Sequence, residues 1–481
     1  MEQRQRMTRR HFLGQSSLGL GTAALASLLA KDLKAASPNS QTALQGLTHF
    51  APKAKRVIYL FQNGGPTHVE LFDGKPSLAA LHGKPVPDSF VSGKRFSTMT
   101  GKADGKLMLA PVEPFKQHGQ SGATVSAFLP HIGSIADELC FVKSMHTDAV
   151  NHAPAISLLL SGGQIPGRPT IGAWLNYGLG TANENLPSYV VMTSVTKNTT
   201  CGQIFYDFYW GSGFLPSEHQ GVKFRGKGEP VLYLSNPKGV SQAVRRGILD
   251  DLSTLNKRQF HDFGDPEINS RIAQYEMAYR MQTSVPELTD FSDESEDTLK
   301  MYGPDVKEQG SFAYNCLMAR RLVERDVRFV QLMHAGWDQH NSITTELYNQ
   351  CRDTDQASAA LVRDLKQRGL LEDTLVIWGG EFGRTPFIQG KLDDRERWGR
   401  DHHPYAFTIW MAGGGIKPGM SYGATDELCM NAVQDPVHVH DLQATILHLL
   451  GIDHERLTFK HQGRRFRLTD VHGHVVSPIL S

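Results

Sequence analysis

The most informative stretch of the chain reads Arg56-Val57-Ile58-Tyr59-Leu60-Phe61-Gln62-Asn63-Gly64-Gly65-Pro66. Its first six residues form a short and almost continuous apolar run, which stops at a glycine-rich turn. A run of this kind is typical of a strand in a parallel sheet that is covered on both faces. Side chains on both sides of such a strand are buried, so apolar and polar residues do not alternate along it. We therefore expect residues 56–61 to form a central strand.

Four further runs have the same character and are predicted to be strands: 139–142, 327–333, 375–378 and 406–411. Amphipathic patterns at 311–324 and 356–368 lie between them and predict helices. Strands that alternate with helices indicate βαβ units and a sheet that is covered on both faces. The predicted fold class is therefore α/β, a three-layer α/β/α sandwich with a mostly parallel central sheet.

The composition excludes several classes of protein. The chain has 481 residues, a formal net charge of +1, five cysteines and 21 histidines. Balanced charge argues against electrostatic binding of nucleic acid. An odd cysteine count with no Cys-x-x-Cys pair argues against a disulfide framework and a zinc finger. A mean hydropathy of −0.33 argues against a polytopic membrane protein.

The N-terminus has the pattern of an export signal. Arg9 and Arg10 precede a modest apolar run at 18–30, which indicates a twin-arginine signal peptide. The alternative is a basic amphipathic helix. We expect residues 1–45 to be signal and linker, with export of the folded protein to the periplasm or beyond and no membrane span after cleavage. Residues 46–481 would form the domain, with 185–300 as an insertion or cap that lines a cleft or is merely structural.

Polar residues collect where the predicted strands end, and the carboxyl ends of parallel strands meet at one edge of a sheet. Asp338 and His340 lie two positions apart, so in an extended loop both side chains point to one side. Carboxylate and imidazole together suit Zn²⁺, Mn²⁺ or Fe. A structural network of hydrogen-bonded Asp–His pairs is the alternative. The candidate metal ligands are Asn63, Asp338, His340, Glu381, Asp401, His402 and His403.

Several phrases together resemble one branch of a known superfamily. They are Asn63-Gly64-Gly65-Pro66-Thr67-His68, Asn151-His152-Ala153-Pro154, Gly336-Trp337-Asp338-Gln339-His340-Asn341, Gly380-Glu381-Phe382-Gly383-Arg384-Thr385-Pro386 and Gly399-Arg400-Asp401-His402-His403-Pro404. They resemble the exported sulfatase-like proteins of domain of unknown function 1501, in the alkaline phosphatase and sulfatase superfamily. That resemblance implies an alkaline-phosphatase-like fold and metal-assisted hydrolysis of phosphate or sulfate esters.

The resemblance also shows departures from the superfamily pattern. Asn63 stands where sulfatases have a metal-binding aspartate, and Phe382 stands where they have a histidine. Asp338 and His340 match one metal set, which either His402 or His403 completes. We therefore expect one main metal site rather than two, with Zn²⁺ as the first choice and Mn, Fe or Ca as alternatives.

The nucleophile position departs most. His152-Ala153-Pro154 stands where sulfatases have Cys-x-Pro, so formylglycine chemistry is not expected. The candidate catalytic residues are His152, His146 and Arg384. We rank His152 as a metal ligand first, a structural residue second and a nucleophile third, and expect a helix N-terminus to lower its pKa. The alternative for His146 is a polar residue at a helix N-terminus. Arg384 would either bind an anion or hold a loop carboxylate.

Three functions remain open from the sequence. The first is an exported metal-dependent hydrolase of a small anionic ester or of a sulfated or phosphorylated glycan. The second is a catalytically inactive superfamily member that binds an anionic glycan or a partner protein. The third is an exported structural protein without a ligand. No nucleic-acid partner is expected.

Overall fold

A computed structural model describes residues 48–195, 198, 205–231 and 234–481. The predicted signal and linker at 1–45 lie outside the described residues, as does Cys201. The other four cysteines, Cys140, Cys316, Cys351 and Cys429, are buried and form no disulfide. Within the described ranges, none of the helices combines the length and apolar character that crossing a bilayer requires.

The elements alternate along the chain much as the apolar runs predict. The strands are β1 (Arg56–Gln62), β2 (Phe115–His118), β3 (Ala123–Ser126), β4 (Cys140–His146), β5 (Tyr189–Ser194), β6 (Val222–Phe224), β7 (Phe329–His334), β8 (Thr374–Gly379), β9 (Gly383–Arg384), β10 (His402–His403), β11 (Phe407–Ala412), β12 (Met420–Tyr422), β13 (Ala424–Thr425), β14 (Ala432–Gln434), β15 (Val437–His438), β16 (Phe459–His461) and β17 (Arg464–Phe466). The helices are α1 (His68–Leu71), α2 (Pro76–Ala80), α3 (Asp88–Val91), α4 (Pro130–Gly133), α5 (His152–Ser161), α6 (Ile171–Leu179), α7 (Gln242–Phe263), α8 (Pro266–Thr289), α9 (Glu296–Tyr302), α10 (Phe312–Glu324), α11 (Ile343–Gln367) and α12 (Val439–Leu449).

A nine-stranded sheet forms the centre of the described chain. Its strand order is β12-β4-β11-β8-β1-β7-β5-β6, and β15 adds to β4. Strand β1 lies between β7 and β8 and is parallel to both, as its unbroken apolar run predicts. All five strands predicted from the sequence belong to this sheet, which confirms the α/β class and the mostly parallel sheet.

Strand β11 runs antiparallel to both of its neighbours, β4 and β8. The segment that joins β8 to β11 contains no helix long enough to cross back over the sheet. The chain therefore leaves the carboxyl end of β8, makes an excursion through the β9–β10 pair, and re-enters the sheet at the same edge. As a result the residues just before β11 lie beside the residues just after the parallel strands.

Helices cover both faces of the sheet. Ile58 and Leu60 of β1 join a core with apolar residues of α10 and α11. Val57 alternates with them along the strand and is therefore buried on the opposite face. Both Val57 and Tyr189 of β5 pair with Phe329 of β7, so Tyr189 lies on the same face as Val57. Helix α6 packs on that second face, because a Cβ on its Gly172 would lie 2.5 Å from the Tyr189 ring. The structure thus has the three layers predicted from the sequence.

The stretch predicted as an insertion or cap, 185–300, differs in part from that prediction. It contains β5, which pairs with β7, and β6, which forms one edge of the central sheet. The helices α7 and α8 follow and pack against each other. The strands were missed because a region rich in glycine, tyrosine and charge hides short apolar runs.

A buried ion pair secures the loop that precedes β10. The guanidinium of Arg400 donates to Glu70 Oε1 from Nε at 2.8 Å and from Nη2 at 2.6 Å, and both side chains are fully buried. The other carboxylate oxygen accepts the backbone N–H of Val112 at 2.7 Å. Removing one partner of such a pair leaves an uncompensated buried charge, which is strongly destabilising.

We therefore expect Glu70→Ala to lower the free energy of unfolding by about 3–5 kcal/mol, measured by urea denaturation. Glu455→Ala is the control, because it removes an exposed carboxylate that pairs with Arg467 at 2.8 Å, and it should leave the midpoint nearly unchanged. Equal midpoints for the two variants would contradict a role for the Glu70–Arg400 pair.

Candidate metal centre

Four side chains from three separate parts of the chain converge at the carboxyl edge of the sheet. His152 begins α5, Asp338 and His340 follow β7, and His402 lies in β10. One ligand atom from each of the four lies within 4.8 Å of the others. Asp338 is the centre of the group and is almost completely buried. We call these four candidate ligands the metal centre.

The three imidazoles face Asp338 with the same ring nitrogen. His340 Nε2 lies 2.9 Å from Asp338 Oδ1, and His402 Nε2 lies 3.2 Å from the same oxygen. His152 Nε2 lies 3.2 Å from the other oxygen, Oδ2. The two carboxylate oxygens are therefore shared among three rings.

Each ring is oriented through its other nitrogen. His152 Nδ1 lies 2.6 Å from Glu381 Oε1, His340 Nδ1 2.6 Å from Gln389 Oε1, and His402 Nδ1 2.8 Å from the carbonyl oxygen of Val150. All three partners are acceptors, so each Nδ1 can donate its proton to its partner. Nε2 is then the ring nitrogen available to bind a metal, as in histidines whose other nitrogen is held by an outer group.

This arrangement fits a cation. His340 Nε2 and His402 Nε2 lie 3.1 Å apart, beside the carboxylate of Asp338. The separation is close to the roughly 3.3 Å expected for two nitrogens on one tetrahedral ion at about 2.0–2.1 Å from each. Three imidazole nitrogens and one carboxylate oxygen are ligands that Zn²⁺ accepts. The donor set therefore fits the divalent metal predicted from the sequence.

Arg384 holds the carboxylate of Asp338. Its Nη2 donates to Asp338 Oδ1 at 2.5 Å, while Nε donates to the carbonyl of Gly65 at 3.0 Å and Nη1 to the carbonyl of Arg400 at 3.1 Å. Burial opposes ionisation of Asp338, but Arg384 and the three imidazoles hold its pKa well below the usual range. This contact with a loop carboxylate favours the second of the two roles predicted for Arg384.

The pKa of His152 differs from the prediction. Although burial lowers it, hydrogen bonds and charge interactions with Asp338 and Glu381 raise the pKa of His152 to about 9. The predicted lowering by the N-terminus of α5 is wrong, because two carboxylates next to the ring outweigh a helix dipole. For His402, burial, with Arg384 adding to it, lowers the pKa to about 4 despite the contact with Asp338.

Glu381 and Asp401, both predicted ligands, lie one layer outside the metal centre. Glu381 is fully buried and accepts from His152 Nδ1 and from the backbone N–H of Gly64 at 3.1 Å. Asp401 accepts the backbone N–H of His402 at 2.7 Å and the hydroxyls of Ser97 and Thr100. Their carboxylates are occupied in orienting ligands and loops, which is the usual task of such outer residues.

Two other predicted residues lie outside the centre. Consecutive residues of a strand point to opposite sides, so His403 turns away from Asp338, and its Nε2 lies 2.6 Å from the Met430 carbonyl oxygen. His146 ends β4 with its ring 5.0 Å from that of His438. Neither belongs to the group of four.

Asn63 and Phe382 mark the departures from the superfamily pattern. Asn63 is buried, and among the described residues neither of its side-chain amide atoms has a hydrogen-bond partner. Phe382 packs between His152 and His402, with ring centroids 5.0 and 4.6 Å away. It therefore forms an apolar wall where a histidine would supply another ligand.

Sequence reasoning missed the partners of the ring nitrogens. Gln389 lies in a loop without a recognisable motif, and the Val150 group is a backbone carbonyl, which any residue carries. No signal in the sequence could have identified either. His152 and Glu381 belong to two motifs that are 229 residues apart in sequence. Only the fold brings them together as a pair.

Comparison with known proteins gives one family match. Residues 54–480 match the family described as "Protein of unknown function (DUF1501)". No curated protein matches the chain.

Solved structures are similar only at a distance. The lipoteichoic acid synthase LtaP from Listeria monocytogenes is 10% identical, with 89% of this chain and 78% of that chain covered and a TM-score of 0.33. The PsFucS1 sulfatase from Pseudoalteromonas sp. is 12% identical, with 90% and 71% covered and a TM-score of 0.34. The phosphonate monoester hydrolase SpPMH from Silicibacter pomeroyi is 12% identical, with 73% and 71% covered and a TM-score of 0.32. Scores this low carry no argument about function.

The adjacent histidines of β10 provide a matched test of the metal centre. We expect His402→Ala to lose most of the bound divalent metal, because it removes an Nε2 ligand, whereas His403→Ala should retain it. The measurement is elemental analysis of folded protein purified without chelator from metal-replete cells. Retention of full metal content by His402→Ala, or only trace metal in the wild type, would contradict the assignment.

Proposed function

This chain belongs to the DUF1501 family, and we propose that it is a metal-dependent hydrolase of phosphate or sulfate esters. The substrate would be a small anionic ester or a sulfated or phosphorylated glycan. A divalent cation, with Zn²⁺ as the first choice, would be held by His152, Asp338, His340 and His402.

One observation carries the proposal. Three imidazole nitrogens and a buried carboxylate face one another at 2.9–3.2 Å, and each ring is oriented for this by an acceptor on its opposite nitrogen. Perturbed ionisable groups concentrated at one sheet edge are also typical of functional sites.

Each residue around the centre has a defined task. Glu381 keeps the proton on His152 Nδ1, and Arg384 fixes the angle of the Asp338 carboxylate. Asp401 fixes the backbone that carries His402. His152 is the most exposed member, with 19% of its side chain accessible compared with 10% for His340, so a substrate would approach from the His152 side. The chemistry that a bound cation supplies is Lewis-acid polarisation of a phosphoryl or sulfuryl oxygen.

The contacts of His152 favour the role of ligand over that of nucleophile. Its Nδ1 is occupied by Glu381, and its Nε2 faces Asp338 Oδ2. A nucleophile would need one nitrogen directed at the substrate instead. Since no cysteine stands at this position, formylglycine is not part of the proposal.

A second candidate is a member that binds an anionic glycan or a partner protein without turnover. Two observations favour it. Arg384 donates to protein acceptors through all three of its nitrogens, which leaves it unsuited to binding a substrate anion. Four protein ligands also complete a tetrahedral shell, whereas catalytic zinc sites keep one position open.

A turnover assay separates the two candidates. We expect the zinc-loaded wild type to hydrolyse p-nitrophenyl phosphate or p-nitrophenyl sulfate, and chelation or Asp338→Ala to reduce the rate at least 100-fold. His146→Ala is the control, because it removes a histidine outside the metal centre. A fully metal-loaded wild type that hydrolyses neither ester, nor a sulfated or phosphorylated glycan, would refute the hydrolase and leave the binding protein.

The compartment is a separate proposal. We infer export by the twin-arginine route from Arg9 and Arg10 ahead of the 18–30 run. Changing both arginines to lysine should retain the precursor in the cytoplasm, as measured by fractionation and immunoblotting. An Arg4→Lys/Arg6→Lys variant, altered outside the pair, is the matched control and should be exported normally. Unchanged export of the Arg9/Arg10 variant would contradict the assignment.

A further inference from the structure

The long helix α7 has one face against α8 and another against solvent. On the packed side, Arg246 makes a bidentate pair with Glu276 of α8, at 2.6 and 2.8 Å, and Leu249 is buried. These contacts fix how α7 is rotated about its axis. They therefore also fix which residues it presents to solvent.

The solvent side of α7 carries an apolar stripe. Its members, with their exposed fractions, are Val244 (54%), Ile248 (46%), Leu252 (37%), Leu255 (55%) and Phe263 (78%). At about 100° of rotation per residue, all five fall within an arc of about 100°. Single exposed apolar residues are ordinary, but five along one side of a helix mark an interaction surface.

The stripe is symmetric about its own middle. With Gln259 filling the remaining position, its members are separated by four, four, three, four and four residues, and the order is the same from either end. A two-fold axis between Ser253 and Thr254 would place a second α7 antiparallel to the first. Val244 would then lie level with Phe263 of the other copy, and Leu252 level with Leu255. A two-fold interface requires this kind of self-complementarity.

The charges beside the stripe fit the same symmetry. Asp251 and Arg258 are exposed and lie on one border of the stripe. In an antiparallel pair the same borders of the two helices meet, so Asp251 faces the border that carries Arg258 of the second copy. Their levels differ by two residues, about 3 Å along the axis, which the arginine side chain easily spans. The two-fold produces this ion pair twice.

We propose that two copies of this chain associate through an antiparallel pairing of their α7 helices, with the stripe as the apolar core and Asp251–Arg258 pairs at its border. The surface lies in α7 and uses no residue of the metal centre. The proposal is therefore independent of the proposed hydrolase activity.

The test is the mass in solution of the full chain, measured by light scattering after gel filtration at several concentrations. We expect the wild type to have twice the mass of one chain, and Leu252→Glu/Leu255→Glu to have the mass of one. Thr254→Glu is the matched control on the same helix, because residue 254 faces away from the stripe, and it should remain dimeric. Thermal unfolding checks that each variant is folded.

A charge exchange tests the antiparallel register. Asp251→Arg alone and Arg258→Asp alone place like charges opposite each other and should each weaken the dimer at least tenfold. Combining them restores opposite charges and should restore the dimer. A monomeric wild type, a dimer that survives the Leu252/Leu255 variant, or a double exchange no better than the single ones would overturn the proposal.

Discussion

The carboxylate of Asp338 connects parts of the chain that are far apart in sequence. Arg384 neutralises it from one side, and imidazoles from α5, the loop after β7, and β10 face it from the other. The same arginine also binds the carbonyls of Gly65 and Arg400, so it connects the turn after β1 to the loop before β10. Without that cation, the buried carboxylate would lose its arginine partner, and the surrounding loops would lose their common anchor.

The direction of β11 explains how His402 reaches this carboxylate. A crossover helix after β8 would have carried the chain to the opposite edge of the sheet, away from Asp338. The excursion through β9 and β10 instead stays at the carboxyl edge, and the buried pair of Arg400 with Glu70 holds it there. The antiparallel direction of β11 therefore places His402 next to Asp338.

The sequence predicts the frame better than the details of the site. Continuous apolar runs identify five strands, because a strand that is buried on both faces consists mostly of apolar residues. Asp338 and His340 could be selected from their positions after a strand, and His152 from its place in the family resemblance. The choice between His402 and His403 depends on the twist of two residues in β10, and no pattern encodes that. The raised pKa of His152 depends on Asp338 and Glu381, which are both remote from it in sequence. The edge strand β6 and its neighbour β5 were hidden in a stretch of mixed composition.

Both edges of the central sheet end in very short strands. Strand β6 spans Val222–Phe224 and β12 spans Met420–Tyr422, and the middle residue of β6 is the exposed Lys223. An open edge offers unpaired backbone groups to any passing strand, and short length and lysine are common protections against edge-to-edge aggregation. The inner strands of this sheet are longer and apolar. The two short edge strands therefore protect folded molecules from pairing edge to edge at high concentration.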